Sequence, residues 1–200
     1  TRNIVAALIG EVNAAEMSAA FRKPTESLQA YDWFKLGNYI TQAAYAAGGD
    51  TTAELGLLGK AAYENAIELD PNYADPYAWL MHNLVVAMPS VGGEPPEGRD
   101  ELRLEYAEKA IQLNPNLAIA YAYGASSIGR FRGTEAGLAA GMKAVELNPN
   151  DAEGWAKLTG ELVRSGEVEE ALAAGQLALQ LNPHAPYYYY KFLAFAQYVS

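Results

Sequence analysis

One phrase recurs along this chain, and each copy ends in a proline corner. "AIELDPNYA" starts at Ala66, "AIQLNPNLA" at Ala110 and "AVELNPNDA" at Ala144, and "LALQLNPHAP" fills residues 177–186. The prolines Pro71, Pro115, Pro149 and Pro183 stand 44, 34 and 34 residues apart. A spacing of that size marks stacked supersecondary units, each too small to bury its apolar side alone. The residue before each proline is Asp70, Asn114, Asn148 or Asn182. These types suit the turn that closes a helix, and proline cannot extend the helix it follows. Each phrase therefore reads as the end of one helix and the corner into the next.

Between corners the pattern predicts two helices. Trp155, Leu158 and Leu162 share one helical face. Gly166 breaks that helix and a second begins near Val168. Ala171, Gly175 and Ala178 leave the second helix with a face free of bulk, so it can lie close against the first. The preceding period repeats the scheme with Tyr121, Gly124 and Ile128, a break at Gly133, then Gly137, Gly141 and Ala144.

Composition narrows the function classes. The chain has 200 residues, half of them hydrophobic, which is enough for a substantial core. It has no cysteine, so disulfides and thiolate metal sites are excluded and a reducing compartment fits. A net charge of −10 repels phosphate backbones and argues against nucleic acid as a partner. No apolar run approaches the roughly 18 residues a membrane span needs. "IVAALIG" is followed by Glu11 and lacks the flanks of a signal peptide. The chain begins at Thr1, so we expect a piece of a longer protein.

A 34-residue helix–turn–helix unit with an aromatic, then leucine and glycine, then alanine and a closing proline resembles the tetratricopeptide repeat (TPR). Residues 118–151 and 152–185 match its length without gaps. Trp33, Leu36 and Gly37, closed by Tyr63, Ala66 and Pro71, resemble a unit over 30–73. Tyr77, Leu80 and Leu84, closed by Ala107, Ala110 and Pro115, resemble another over 74–117. Each of these two runs ten residues over length. In the first the surplus lies around "AAGGDTTAELG", read as two longer helices joined by a Gly-Gly turn, the second capped near Thr51 or Thr52. In the second it lies around "MPSVGGEPPEGRDE", read as a long loop. The resemblance implies an all-α fold: a right-handed α-α superhelix, or TPR solenoid, of about four helix pairs with an extra helix at each end. It also puts Trp33 and Trp155 at the position such units bury within each pair.

Residues 1–29 read as an amphipathic helix and a linker. Ile4, Leu8, Val12, Ala15 and Ala19 form its stripe, and "RKPT" ends it. It is expected to cap the first unit, or to dimerise or fill a groove. Residues 186–200, "PYYYYKFLAFAQYVS", place Tyr189, Phe192 and Ala196 where a fifth unit would put its first helix. That helix lacks a polar outer face, which suggests a cut repeat or a helix covered by another chain. The stretch from "IVAALIGEV" to "FRKPTESLQAYDWFKLGNY", together with "LNPHAPYYYY", is similar to the C-terminal TPR regions of bacterial multidomain regulators. Those include class III nucleotide cyclases and winged-helix transcription regulators. The likeness implies a regulatory, partner-binding tail in the cytoplasm.

Signals of catalysis are absent from the sequence. His82 and His184 lie about three units apart, so a shared metal is not expected. There is no H-E-x-x-H, no G-x-S-x-G and no phosphate loop, and "GASSIG" at 124–129 spaces its glycines wrongly for a nucleophile elbow. Glu167, Glu169 and Glu170 suit the first turn of a helix. No cofactor or metal is expected. In TPR arrays the first helix of each pair lines a concave surface. The resemblance carries that role to Phe34 and Asn38, Trp79 and His82, Tyr123 and Ser126, Lys157 and Arg164, and Tyr190 and Lys191 in the terminal helix. Of the residues by which chaperone-binding relatives hold a terminal carboxylate, only Asn38 has a counterpart, so such tails are not the expected ligand. The expected partner is a protein or peptide, an apolar or amphipathic helical segment, bound by a groove aromatic at one end and basic towards the other. A dimerisation scaffold (a homodimer) and a small-molecule sensor are the alternatives.

Overall fold

Each proline corner closes with the same hydrogen bonds. The amides of Asp70, Asn114, Asn148 and Asn182 donate to the carbonyls of Ala66, Ala110, Ala144 and Ala178 at 2.9–3.1 Å. The side-chain oxygens of Asp70 and Asn114 then accept from the amides of Asn72 and Asn116, each at 3.0 Å, and that of Asn182 accepts from His184 at 3.2 Å. Proline sits between donor and acceptor, where a missing N–H costs nothing. Six residues after the proline an aromatic reaches back. Tyr77 donates to the Pro71 carbonyl at 3.2 Å, Tyr121 to Pro115 at 3.1 Å and the Trp155 indole to Pro149 at 2.8 Å. Each such bond is worth about 1 kcal/mol and fixes the angle at which the next helix leaves the corner.

The computed structural model describes residues 25–47, 50–90 and 94–199. Among them are nine α-helices and no strand. They are α1 (Thr25–Ala47), α2 (Asp50–Leu69), α3 (Ala74–Ala87), α4 (Arg99–Leu113), α5 (Ala118–Arg132), α6 (Thr134–Leu147), α7 (Ala152–Ser165), α8 (Val168–Leu181) and α9 (Tyr187–Val199). The all-α expectation is met. The amphipathic stripe from Ile4 to Ala19 and the Gly-Gly turn at 48–49 lie outside the described residues. The helices divide between two units, Thr1–Arg99 and Asp100–Ser200.

In the first unit α1 packs along α2, and α3 lies against both. The surplus of ten residues goes into helix length, with 23 residues in α1 and 20 in α2. Ile40, Ala44, Leu55 and Val86 make a core cluster, and Tyr63, Leu80, Met81 and Leu84 are fully buried. Glycines set the helix spacing. A Cβ on Gly37 would come within 2.7 Å of the Tyr63 ring, and one on Gly56 within 2.5 Å of the Ala87 amide nitrogen. A polar knot crosses this core, where the buried Asn83 Nδ2 donates to Thr41 Oγ1 at 2.9 Å and to the Gly56 carbonyl at 3.1 Å. The long loop is tied back by Arg99, whose Nη1 donates to the Met88 carbonyl at 3.0 Å and to Ser90 Oγ at 3.1 Å.

In the second unit α5 pairs with α6 and α7 with α8, α7 also packs on α5 and α6, and α9 packs on α7 and α8. The small residues do what their spacing predicts. Gly137, Gly141 and Ala144 in α6 are buried, as are Ala171, Ala174, Gly175 and Ala178 in α8. Leu158 and Leu162 pack with Ala171, Ala174 and Ala196. Gly166 ends α7 at φ 85°, a left-handed turn that glycine adopts without strain. The Glu167 amide then closes onto the Leu162 carbonyl at 2.9 Å.

The two tryptophans expected in the core differ. Trp155 is half-buried, held by its indole bond and packed against Leu158 and Ala156 neighbours. Trp33 is 38% exposed, which corrects the expectation. Ser27, not proline, stands six residues before it, so the corner carbonyl that anchors the equivalent aromatics has no counterpart.

Candidate binding faces

Each unit presents its own set of inner-helix side chains. In the first, Phe34 is not a lining residue. It is 7% exposed, with its ring against those of Tyr31, Tyr63 and Tyr73 at 5.3–6.4 Å. Its neighbour Trp33 takes the outer position instead. Asn38 is half-buried and its Oδ1 accepts from the Tyr63 hydroxyl at 2.7 Å, so its visible work lies within the helix pair. Trp79 and His82, both half-buried, share one flank of α3. The His82 ring stacks on Tyr45 with centroids 4.6 Å apart and planes at 21°, and meets Trp79 edge-on at 6.0 Å. The Tyr45 hydroxyl donates to the His82 carbonyl at 3.1 Å and lies 3.3 Å from Nδ1. Tyr45 was not among the residues the family positions indicate. It comes from α1, 37 residues away, and no local spacing reveals the stack.

In the second unit only Tyr123 of the other expected lining positions meets Lys157. Its Nζ lies 3.0 Å from Glu153 Oε1, 4.4 Å from the Tyr188 ring centre, 5.4 Å from that of Tyr123 and 5.9 Å from that of Phe192. Glu153 Oε2 accepts from the Tyr188 hydroxyl and, at 3.1 Å, from Tyr189. Burial, reinforced by the Glu153 charge, pushes the Tyr189 phenol well above its ordinary range, so it stays a donor. The lysine is thus enclosed by rings from two helices, α5 and α9, with a carboxylate at its head. Tyr123 is buried beneath it and Ser126 is half-buried on the next turn of α5. Tyr190 and Lys191 lie on the outer side of α9, exposed.

Arg164 is exposed and pairs with Glu161, whose side chain is 2% exposed. Glu161 Oε2 lacks a hydrogen-bond partner, and a Cβ on Gly137 would come within 2.9 Å of it. Burial raises the Glu161 carboxyl above its ordinary 4.5, opposed by Arg164 and, more weakly, Arg103 and Lys157. A raised folded-state pKa means that the folded chain holds the proton more tightly than the unfolded one. The stability it adds is present below pH 4.5 and is lost as pH rises through the folded value. Glu161→Gln should therefore be more stable than the wild type at pH 7.5. The gap should close as the pH falls towards 4.5, as read from urea midpoints across that range. A wild type that outlasts the variant at pH 7.5 would show that the Arg164 pair outweighs desolvation.

His82 and His184 do separate work, since His184 sits in the corner after α8 with its amide bonded to Asn182. Among the described residues no group of three or more His, Asp or Glu side chains is placed to hold a metal ion. No described helix is long and apolar enough to cross a membrane.

No family model and no curated protein matches the sequence. Solved structures do match its fold. PilF of Pseudomonas aeruginosa aligns over 88% of this chain and 70% of its own, at 17% identity and a TM-score of 0.61. MamA aligns over 86% and 82%, at 18% identity and 0.52. YrrB, a TPR protein with an unusual peptide-binding site, aligns over 84% of both chains at 18% identity and 0.50. The repeated corners, the paired helices and these likenesses together place the chain in the all-α helical-repeat fold that TPR proteins adopt.

Proposed function

We propose that this chain is a protein–protein interaction module without a catalytic role. In this reading it is the regulatory, partner-binding C-terminal part of a cytoplasmic bacterial signalling protein whose output domain lies elsewhere. The observation that carries the reading is the pair of inner-helix clusters, Tyr45–Trp79–His82 and Tyr123–Lys157–Tyr188–Phe192. They are side chains of the interface-anchor type, held in place by ring contacts and hydrogen bonds, and all but the buried Tyr123 remain partly open. Rings already fixed lose little freedom on binding, which is how preorganised sites gain affinity. The peptide-binding site of YrrB, a chain of like fold, supports the same use here. The ligand is an apolar or amphipathic helical segment that lays its apolar side on Trp79 and His82. The second unit offers its own face at Tyr123, Ser126 and Lys157.

A library of displayed helical peptides, selected on the 200-residue chain, supplies the probe. A recovered peptide titrated against Trp79→Ala should bind about 30-fold more weakly than to the wild type, the effect of losing an aromatic hot spot. Circular dichroism should show the helices intact. Equal affinity for the two proteins would remove Trp79 and its neighbours from the contact.

A further inference from the structure

The terminal helix α9 has two unlike faces. One packs on its own unit: Tyr188 and Tyr189 bond Glu153, Phe192 covers Gly160, Leu193 covers Gly175 and Ala196 joins the Leu158–Leu162 core. The other carries Tyr187, Tyr190, Lys191, Ala194, Phe195 and Tyr198 around one shallow depression. Tyr187 is 78% and Tyr198 85% exposed, with Tyr190 and Phe195 about half so. Thirty-four residues earlier, Ala156 and Gly160 of α7 occupy the places of Tyr190 and Ala194. There they are covered, by Tyr189 and Phe192 of α9. On α9 the equivalent positions are exposed and flanked by aromatic rings.

We propose that a second copy of this chain covers this outer face, the two α9 helices pairing antiparallel about a twofold axis near residues 192 and 193. The patch is self-complementary in that arrangement. Tyr187 meets Tyr198, Tyr190 meets Phe195, and Lys191 meets Ala194, so its six residues are used up in three kinds of pair. The small Ala194 leaves room for the lysine stem between the Tyr190 and Tyr198 rings of the second copy, an environment like the one Lys157 has inside the unit. The patch contains no carboxylate, so on a chain of net charge −10 it is a face on which two copies can approach. A 13-residue helix is about 20 Å long. Two faces of that length make an interface below the roughly 1,200 Å² of a standard stable one, so the dimer is weak. This proposal uses the outer side of α9 and does not involve the contact assigned to Trp79 and His82.

Sedimentation equilibrium of the 200-residue chain, from about 10 μM to about 1 mM, tests it. The average mass should climb from 21.5 kDa towards twice that and stop there. Tyr190→Glu with Phe195→Glu should stay monomeric, with the helical spectrum unchanged. Because the chain has no cysteine, Lys191→Cys and Ala194→Cys provide single probes. Oxidised together, with one of them tagged, they should cross-link to each other several-fold more than either does to itself. A wild type that remains monomeric, masses that grow beyond the dimer, a variant that dimerises like the wild type, or no preference for the mixed cross-link would each overturn the proposal. The first would leave the face bare between copies, the second would make it a head-to-tail joint.

Discussion

Tyr63→Ala should lower the unfolding free energy of the first unit by about 4 kcal/mol, the range for truncating a buried ring. The side chain is fully buried. Its ring fills the space left by Gly37 on α1, and it touches Phe34 at a centroid distance of 6.1 Å. Its hydroxyl donates to Asn38 Oδ1 at 2.7 Å. The alanine variant therefore loses transfer energy, leaves a cavity between two long helices and strands the Asn38 oxygen. Tyr63→Phe removes only the hydrogen bond and should cost about 1 kcal/mol. Urea unfolding separates the two, followed by the fluorescence of Trp33 and Trp79, with Trp155 reporting the second unit. Equal losses for both variants would mean that the ring itself contributes little.

Gly56→Ala should cost about 3 kcal/mol, the upper part of the range for overpacking. The added methyl would stand 2.5 Å from the Ala87 nitrogen and 2.7 Å from the Ala87 Cα and the Val86 carbonyl carbon. All of these are backbone atoms of α3, so no rotamer change relieves the clash and the helices must part. Parting them also stretches the Asn83 bond to the Gly56 carbonyl. Gly154→Ala is the control. Its methyl meets nothing nearer than Val145 at 3.5 Å, an ordinary contact. Relieving a helical glycine there should leave stability unchanged or raise it by up to about 1 kcal/mol. Thermal melts of the two single variants decide the matter, and a Gly56→Ala protein as stable as the wild type would refute the close approach of α2 and α3.

What the sequence made legible follows from the range of the forces involved. The corners were readable because Asp or Asn before proline acts within three or four residues. The helix spacing was readable because Ala171, Gly175 and Ala178 announce a face without bulk. The ring of Phe34 was misplaced because adjacent aromatics at 33 and 34 both suit an inner helix. What separates them is the packing of Tyr63 and Tyr73, some 30 to 40 residues on. A local clue did exist, since Tyr77, Tyr121 and Trp155 each stand six residues after a corner proline and Trp33 does not. The enclosure of Lys157 was out of reach. Tyr123, Tyr188 and Phe192 come to it from helices on either side in sequence, and the Tyr188 and Tyr189 bonds to Glu153 span 35 and 36 residues.

If the 34-residue period is the stacking unit, it can be removed whole. Joining Leu117 to Ala152 deletes residues 118–151 and brings α7 to the place of α5, with an equivalent corner before it. Far-ultraviolet circular dichroism of the shortened chain should show the loss of two helices, of 15 and 14 residues, and no more. Its melt should stay cooperative at a lower midpoint, since one interface between neighbours is gone. A shortened chain that loses most of its helix, or melts without a transition, would contradict the idea that these pairs stack by repeating one set of contacts.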